Sequence, residues 1–360
     1  MPDDILYMRR ALRLAAKGLG KVAPNPLVGC VIVKHGKIIA DGWHKEYGRE
    51  HAEVVALKQA GAKAKGAVMY VTLEPCAHWG HTPPCVEAVL AAGLKKVVIA
   101  MVDPNRLTRG KSVKKLRAAG VEVIMGVGEL EARELNAGFI KYISRRMPYV
   151  TAKTAQTLDG RIAARSGDSK WITSSAAREI SREKRNNFAA ILVGVGTVLA
   201  DDPGLDAPAK PIIKIVVDSG LRTPEKARLF HGTVAGQVIL AVTDKAPKAK
   251  ICRLERRGVV VICCPKKEGK VDLVFLFKAL ASRYISSILI EGGAAVIGSA
   301  LKAGLVDELN IYLAPRILGD DQARASVSGL EALNVAQARN FCFTKVERIG
   351  SDLFLILKHL

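Results

Sequence analysis

His51-Ala52-Glu53 and, further on, Pro75-Cys76-Ala77-His78-Trp79-Gly80-His81-Thr82-Pro83-Pro84-Cys85 place an imidazole, a carboxylate and two thiols in one part of the chain. Zinc takes nitrogen and sulfur ligands, and a catalytic zinc site keeps three protein ligands with a fourth position for water. His51, Cys76 and Cys85 supply those three. Glu53, two residues after the histidine, is then free to serve as general acid and base. The alternative is a closed zinc site that only staples the fold, with His78 or His81 as the fourth ligand.

Working outward, the apolar spacing predicts a helix over 5–19, with Asp3 or Asp4 as its cap. Pro24 to Gly29 form a stiff turn into a strand over 30–33, and His35-Gly36 turns the chain back into a strand over 37–42. A helix over 51–59 carries His51 and Glu53 in its first turn. Strands over 68–73, 97–102 and 121–125 alternate with helices over 86–92 and 114–119. This alternation predicts a three-layer αβα domain. Cys76 follows a strand end, and Cys85 opens a helix behind a proline entry. The positive end of a helix favours thiolate over thiol, and zinc binds the thiolate.

With 360 residues, two domains are expected. Hydrophobic residues at 49% and charged residues at 25% describe a globular chain rather than a disordered one. No apolar run reaches about eighteen residues, so no membrane span is expected, and the acidic start lacks a secretory signal's lysines. A cytoplasmic location follows as the default. Seven scattered cysteines do not read as a disulfide framework. Cys30, Cys252, Cys263, Cys264 and Cys342 sit in or near apolar runs and are expected to be buried. The formal charge of +21 suits phosphorylated small molecules or nucleic acid. The bases are spread along the chain, and aromatics are only 5%, too few for single-strand stacking platforms. A nucleic-acid partner is therefore not expected.

H-x-E followed by P-C and a second cysteine is the pattern of zinc-dependent nucleobase deaminases. Nucleic-acid and nucleoside deaminases space their cysteines as P-C-x-x-C, whereas eight residues separate Cys76 from Cys85. With Asn25-Pro26-Leu27-Val28-Gly29, Gly42-Trp43-His44 and Asp103-Pro104-Asn105, the first half resembles the pyrimidine deaminases of riboflavin biosynthesis, a branch of the cytidine-deaminase-like superfamily. The resemblance implies that Asn25, Asp103 and Asn105 line the pyrimidine and ribose-phosphate pocket. Three positions depart from the family pattern: His81 where a basic residue is usual, Arg106 where proline is common, and Ser112 where glycine is usual.

Ser144-Arg145-Arg146-Met147-Pro148 reads as a linker after a helix over 133–143, which places a boundary between domains 1–147 and 148–360. The second half opens with a strand at Tyr149. It continues through Thr157-Leu158-Asp159-Gly160-Arg161, Trp171-Ile172-Thr173, Gly194-Val195-Gly196-Thr197, Ala200-Asp201-Asp202-Pro203 and Glu291-Gly292-Gly293. The two glycine turns follow apolar strands and precede helices, where backbone N–H groups can meet a pyrophosphate. No G-x-G-x-x-G is present.

That ordered set resembles the reductase domain of riboflavin biosynthesis, with a dihydrofolate-reductase-like fold and NADPH as cofactor. The resemblance implies NADPH contacts at Gln156, Trp171, Thr197, Asp201, Ser219, Gly292 and Gly293. It implies contacts to the phosphorylated pyrimidine at Lys153, Ser169, Arg185, Leu205 and Glu291. One departure stands out: Pro208 occupies a position where the family usually has an arginine, with Lys210 or Arg185 as possible substitutes. The expectation is a bifunctional α/β enzyme that uses Zn2+ and NADPH on a phosphorylated pyrimidine and assembles as a homo-oligomer through its second domain. The alternatives are a deaminase with a non-catalytic reductase-like domain and a nucleic-acid deaminase.

Overall fold

The structure is a computed structural model that describes residues 2–80 and 83–359. The chain divides into two compact units, Met1–Met147 and Pro148–Leu360.

The first unit is built on a five-stranded sheet. Strands β1 (Gly29–Lys34) and β2 (Lys37–Trp43) form an antiparallel hairpin, and β1 also pairs antiparallel with β3 (Val68–Leu73). Strands β4 (Lys96–Met101) and β5 (Glu122–Met125) extend the sheet in parallel, giving the order β2-β1-β3-β4-β5. The near-continuous Val, Ile and Leu runs of β1, β3 and β4 are buried along almost their whole length, as strands covered on both faces require. Helices α1 (Pro2–Ala16), α2 (Ala52–Ala60), α3 (Cys85–Ala91), α4 (Lys111–Ala118), α5 (Glu129–Leu135) and α6 (Ala137–Arg145) complete the unit. Gly42 lets α2 sit directly on β2: a Cβ there would lie 2.8 Å from the Ala52 carbonyl oxygen. The helix that carries Glu53 depends on that approach.

Two sequence expectations change here. The helix over 133–143 is instead two helices, α5 and α6, parted at Asn136. The Asn136 side chain is buried and clasps Leu27 from both sides: Leu27 N–H donates to Oδ1 at 2.8 Å, and Nδ2 donates to the Leu27 carbonyl at 3.0 Å. The first helix ends at Ala16, and Ile5 and Leu19 are about half exposed.

The second unit holds a nine-stranded sheet. Seven strands run parallel: β6 (Tyr149–Thr157), β8 (Ala190–Gly194), β9 (Ile213–Val217), β10 (Val238–Val242), β11 (Val260–Cys263), β14 (Ser287–Gly292) and β15 (Glu308–Ala314). An antiparallel hairpin, β17 (Phe341–Ile349) and β18 (Asp352–His359), closes one edge on β15. The order is β11-β10-β9-β8-β14-β6-β15-β18-β17. The short strands β7 (Arg161–Ala163) and β16 (Arg324–Ala325) pair with each other, as do β12 (Lys266–Lys267) and β13 (Lys270–Val271). Helices α7 (Ser175–Lys184), α8 (Val195–Asp201), α9 (Lys248–Arg256), α10 (Leu273–Ala281) and α11 (Ala294–Lys302) connect the strands. Ser174 caps α7, its Oγ accepting from Ala177 N–H at 3.3 Å.

All seven cysteines are free thiols, and the expectation of burial holds only for Cys30 and Cys264 among the five assigned to the core. Cys252, Cys263 and Cys342 are exposed. Cys263 and Cys342 lie on the two edge strands of the large sheet, and Cys252 lies on a helix with a single fully buried side chain, Leu254. An apolar neighbourhood in sequence does not place a side chain on the core face.

Candidate active sites

In the first unit, His51 sits at the N-cap of α2, Cys76 follows the end of β3, and Cys85 opens α3. These three meet. The His51 Nδ1 atom lies 3.1 Å from Cys85 Sγ and 3.6 Å from Cys76 Sγ, and all three donor atoms fall within 4.8 Å of one another. The Cys85 backbone N–H, at the start of its helix, donates to Cys76 Sγ at 3.2 Å. Hydrogen bonding from Cys85 and His51 holds the Cys76 thiol well below its usual range, while the Cys85 thiol is pushed up in return. One imidazole and two sulfurs at this spacing fit a zinc ion, with two anionic thiolates to balance its charge.

Glu53 lies in the first turn of α2 and is 3% exposed. Its Oε2 has no hydrogen-bond partner among the described residues, and burial pushes the carboxyl up to about 7. A buried carboxylate with an unpaired oxygen beside three metal donors is placed to take a proton from a water held there. His78 is drawn elsewhere, with its Nδ1 3.0 Å from Thr108 Oγ1, and it stands outside the donor cluster. His81 lies outside the described residues.

The loop after β4 is tied to the same place. Glu74, a fully buried residue that the sequence reading did not single out, accepts from Asp103 N–H at 3.3 Å, Gly110 N–H at 2.9 Å and Ser112 Oγ at 2.7 Å. Ser112, one of the departures from the family pattern, thus has a specific partner. Asp103 is 5% exposed, and burial pushes its carboxyl up to about 6. It accepts from Asn105 N–H at 2.8 Å, and Asn105 Oδ1 in turn accepts from Leu107 N–H at 3.1 Å. Asn25 Nδ2 lies 3.1 Å from His44 Nε2, and His44 Nδ1 lies 3.0 Å from the Glu50 carbonyl oxygen. With Nδ1 donating to that carbonyl, Nε2 accepts from the Asn25 amide and fixes its orientation.

In the second unit two cavities open at the ends of the parallel strands. The larger, about 770 Å³, is lined by Gly194, Gly196, Thr197, Asp201, Ser219 and Gly293, and also by Arg222 and Lys270. The smaller, about 360 Å³, is lined by Lys153, Trp171, Arg185, Glu291 and Gly292. Ser169, Thr197, Asp201 and Gly293 line both. Gly292 admits Thr197 at close range, since a Cβ there would lie 2.9 Å from its Oγ1. Arg185 forms a two-pronged pair with Glu291, Nε to Oε1 at 2.9 Å and Nη2 to Oε2 at 2.6 Å. Burial pulls the Lys153 ammonium below its usual range, against the attraction of Glu291. Trp171 is 59% exposed, with the Arg178 guanidinium 4.1 Å over its ring. Gln156 and Leu205 line neither cavity: Gln156 bonds Thr154, and Leu205 packs into the core. Arg222 and Lys270 were missed in the sequence because a single basic residue close to a glycine, as after Ser219-Gly220 or Gly269, is common at the surface of a chain this basic.

Comparison with known proteins covers both units. The "Cytidine and deoxycytidylate deaminase zinc-binding region" family matches residues 1–101, and the "RibD C-terminal domain" family matches residues 148–355. The riboflavin biosynthesis protein RibD of Aquifex aeolicus is 42% identical over 359 residues, 99% of this chain and 98% of that protein. Among solved structures, Acinetobacter baumannii RibD aligns with a TM-score of 0.89 at 38% identity, covering 100% of this chain and 99% of that one. A Thermotoga maritima protein described as a diaminohydroxyphosphoribosylaminopyrimidine deaminase/5-amino-6-(5-phosphoribosylamino)uracil reductase aligns with a TM-score of 0.87 at 35% identity, covering 100% and 99%.

Proposed function

The chain belongs to the family of the riboflavin biosynthesis protein RibD, and on that premise we propose how its residues divide the work. It is a bifunctional enzyme of riboflavin biosynthesis, a zinc-dependent deaminase in its first unit and an NADPH-dependent reductase in its second.

The deaminase substrate on this reading is 2,5-diamino-6-(5-phosphoribosylamino)pyrimidin-4-one, which loses its 2-amino group as ammonia. The observation that carries the reading is the buried carboxyl of Glu53 beside the His51, Cys76 and Cys85 donors. Zinc held by those three residues supplies the Lewis acidity that makes water a nucleophile at neutral pH. Glu53 takes the proton released by that water and passes it to the departing amine, a role that suits a carboxyl whose affinity for protons has been raised by burial. Asn25, held by His44, offers its free carbonyl oxygen to the pyrimidine, while Asp103 and Asn105 form the wall toward the ribose.

In the second unit NADPH supplies the hydride that converts the ribosyl chain to ribityl. The larger cavity suits the dinucleotide: small residues at Gly194, Gly196 and Gly293 leave the backbone open, and Arg222 and Lys270 gather positive charge beside Ser219 for the cofactor's extra phosphate. The smaller cavity suits the sugar chain. Lys153 is its buried ammonium, placed to give a proton to the sugar oxygen released as the anomeric carbon takes the hydride.

Assembly of two or more copies through the second unit is supported by β17. This edge strand is exposed along most of its length and presents Phe343 and Val346, each more than 60% exposed. A cytoplasmic setting is supported by seven free thiols. No helix among the described residues is long and apolar enough to cross a membrane.

The test of the deaminase assignment is Glu53→Gln. Zinc content should stay at one per chain while ammonia release falls by about 10²–10⁴-fold. Undiminished ammonia release would remove Glu53 from the chemistry.

A further inference from the structure

Helix α7 and the turn that follows it carry Arg178, Arg182 and Arg185 at spacings of four and three residues, which stack on one helical face. All three line the smaller cavity of the second unit. Two of them are already engaged. Arg185 spends its guanidinium on Glu291 and on the Asp206 carbonyl oxygen, 2.8 Å from Nη1. Arg178 lies over Trp171 and donates to the Thr173 carbonyl at 2.7 Å. The Arg182 side chain, between them, has no hydrogen-bond or ion-pair partner among the described residues.

The charge of the cavity needs an anion. Lys153, Arg178, Arg182 and Arg185 face only Asp201 and Glu291. Four cations against two carboxylates leave an excess that a phosphomonoester, carrying about −1.5 to −2 at neutral pH, would balance. The loop that approaches Arg185 through Asp206 brings no cation of its own to the cavity: residue 208 is an exposed proline, and Lys210 does not line the wall. A planar guanidinium can meet two phosphate oxygens at once, which an ammonium does not.

We propose that Arg182 grips the phosphate of the reductase substrate, so that in this chain the phosphate end of the sugar lies along the α7 face of the cavity. The assignment rests on the reading of the second unit as a reductase of a phosphorylated pyrimidine. Arg182 fixes the phosphate end, Arg178 and Arg185 flank it, and Lys153 is left for the sugar carbons.

The experiment uses the full chain with Arg182→Gln and Arg182→Lys. Binding of ribose 5-phosphate and of plain ribose is followed by calorimetry, and NADPH oxidation is followed with 5-amino-6-(5-phosphoribosylamino)uracil and with its dephosphorylated nucleoside. The expected result is at least a tenfold weaker Kd for ribose 5-phosphate and a tenfold higher KM for the phosphorylated substrate in Arg182→Gln. Arg182→Lys should recover part of both, while the KM for the nucleoside and the Kd for NADPH stay within twofold of the parent. Unchanged binding of ribose 5-phosphate, or equal losses with phosphorylated and dephosphorylated substrates, would overturn the assignment. A parent enzyme that binds ribose 5-phosphate through Arg182 yet oxidises no NADPH would instead overturn the reductase reading and leave the phosphate site standing.

Discussion

Glu74→Ala should be among the most damaging single changes in the first unit, although Glu74 hydrogen-bonds to none of the three metal donors. Its carboxylate takes three hydrogen bonds, from Asp103 N–H, Gly110 N–H and Ser112 Oγ, and is 2% exposed. Truncation leaves three donors without their acceptor, at about 1–3 kcal/mol for a buried one and less for the half-buried Gly110. The sum is about 3–5 kcal/mol. Glu74→Gln keeps one oxygen for the two backbone donors and offers an amide to the Ser112 hydroxyl, which can turn to accept. It should cost about 1 kcal/mol. Ser112→Ala should cost about 1 kcal/mol alone and close to nothing in the Glu74→Ala background, because its partner is already gone. Urea unfolding measures these values. In a Trp171→Phe background, fluorescence reports only Trp43 and Trp79, both in the first unit. Glu74→Ala costing no more than Glu74→Gln, or Ser112→Ala costing the same in both backgrounds, would refute the network. The functional companion is a raised KM for deamination in Glu74→Gln with zinc still at one per chain.

Two further outcomes follow from the same geometry. Burial raises the Asp103 carboxyl to about 6 in the folded chain, above its unfolded value near 3.9, so its ionisation opposes folding. The favourable contribution is complete below the unfolded value and is lost as pH rises through about 6. Asp103→Asn, compared with the parent by urea unfolding across pH 4 to 8, should therefore gain roughly 1–3 kcal/mol at the upper end and little at the lower. A flat difference would contradict the assignment. Arg222→Ala should weaken NADPH binding by at least tenfold and NADH binding by less than threefold, read by fluorescence titration. Equal losses would place Arg222 away from the extra phosphate.

Much of the candidate zinc site could be read from the chain because its parts are close in sequence and chemically distinctive. His51 and Glu53 share the first turn of one helix, and Cys76 and Cys85 bracket a single loop. The alternation of strands and helices was equally plain, since buried parallel strands appear as unbroken apolar runs such as Val68–Leu73. What stayed hidden depends on tertiary partners. Asn136 breaks a helix because it clasps Leu27, 109 residues earlier, and helical periodicity holds no trace of that contact. Glu74 follows the end of a strand in sequence, and its role shows only where Asp103, Gly110 and the first turn of α4 with Ser112 fold against it. Cys252, Cys263 and Cys342 lie in apolar surroundings by sequence but face outward, because helix faces and sheet edges are set by packing. The arginine spacing at 178, 182 and 185 was visible all along. Its meaning came only with the cavity and with the partners that claim two of the three.

The claim that one chain houses two successive chemical steps is tested most directly by following ammonia release and NADPH oxidation together, starting from the diaminopyrimidine phosphate. The parent should release ammonia and oxidise NADPH in equal amounts, with ammonia leading. Glu53→Gln should abolish both signals, and supplying the deaminated pyrimidine phosphate should restore NADPH oxidation alone. NADPH oxidation from the diaminopyrimidine phosphate in the absence of ammonia release, or ammonia release that no NADPH oxidation follows, would contradict the account.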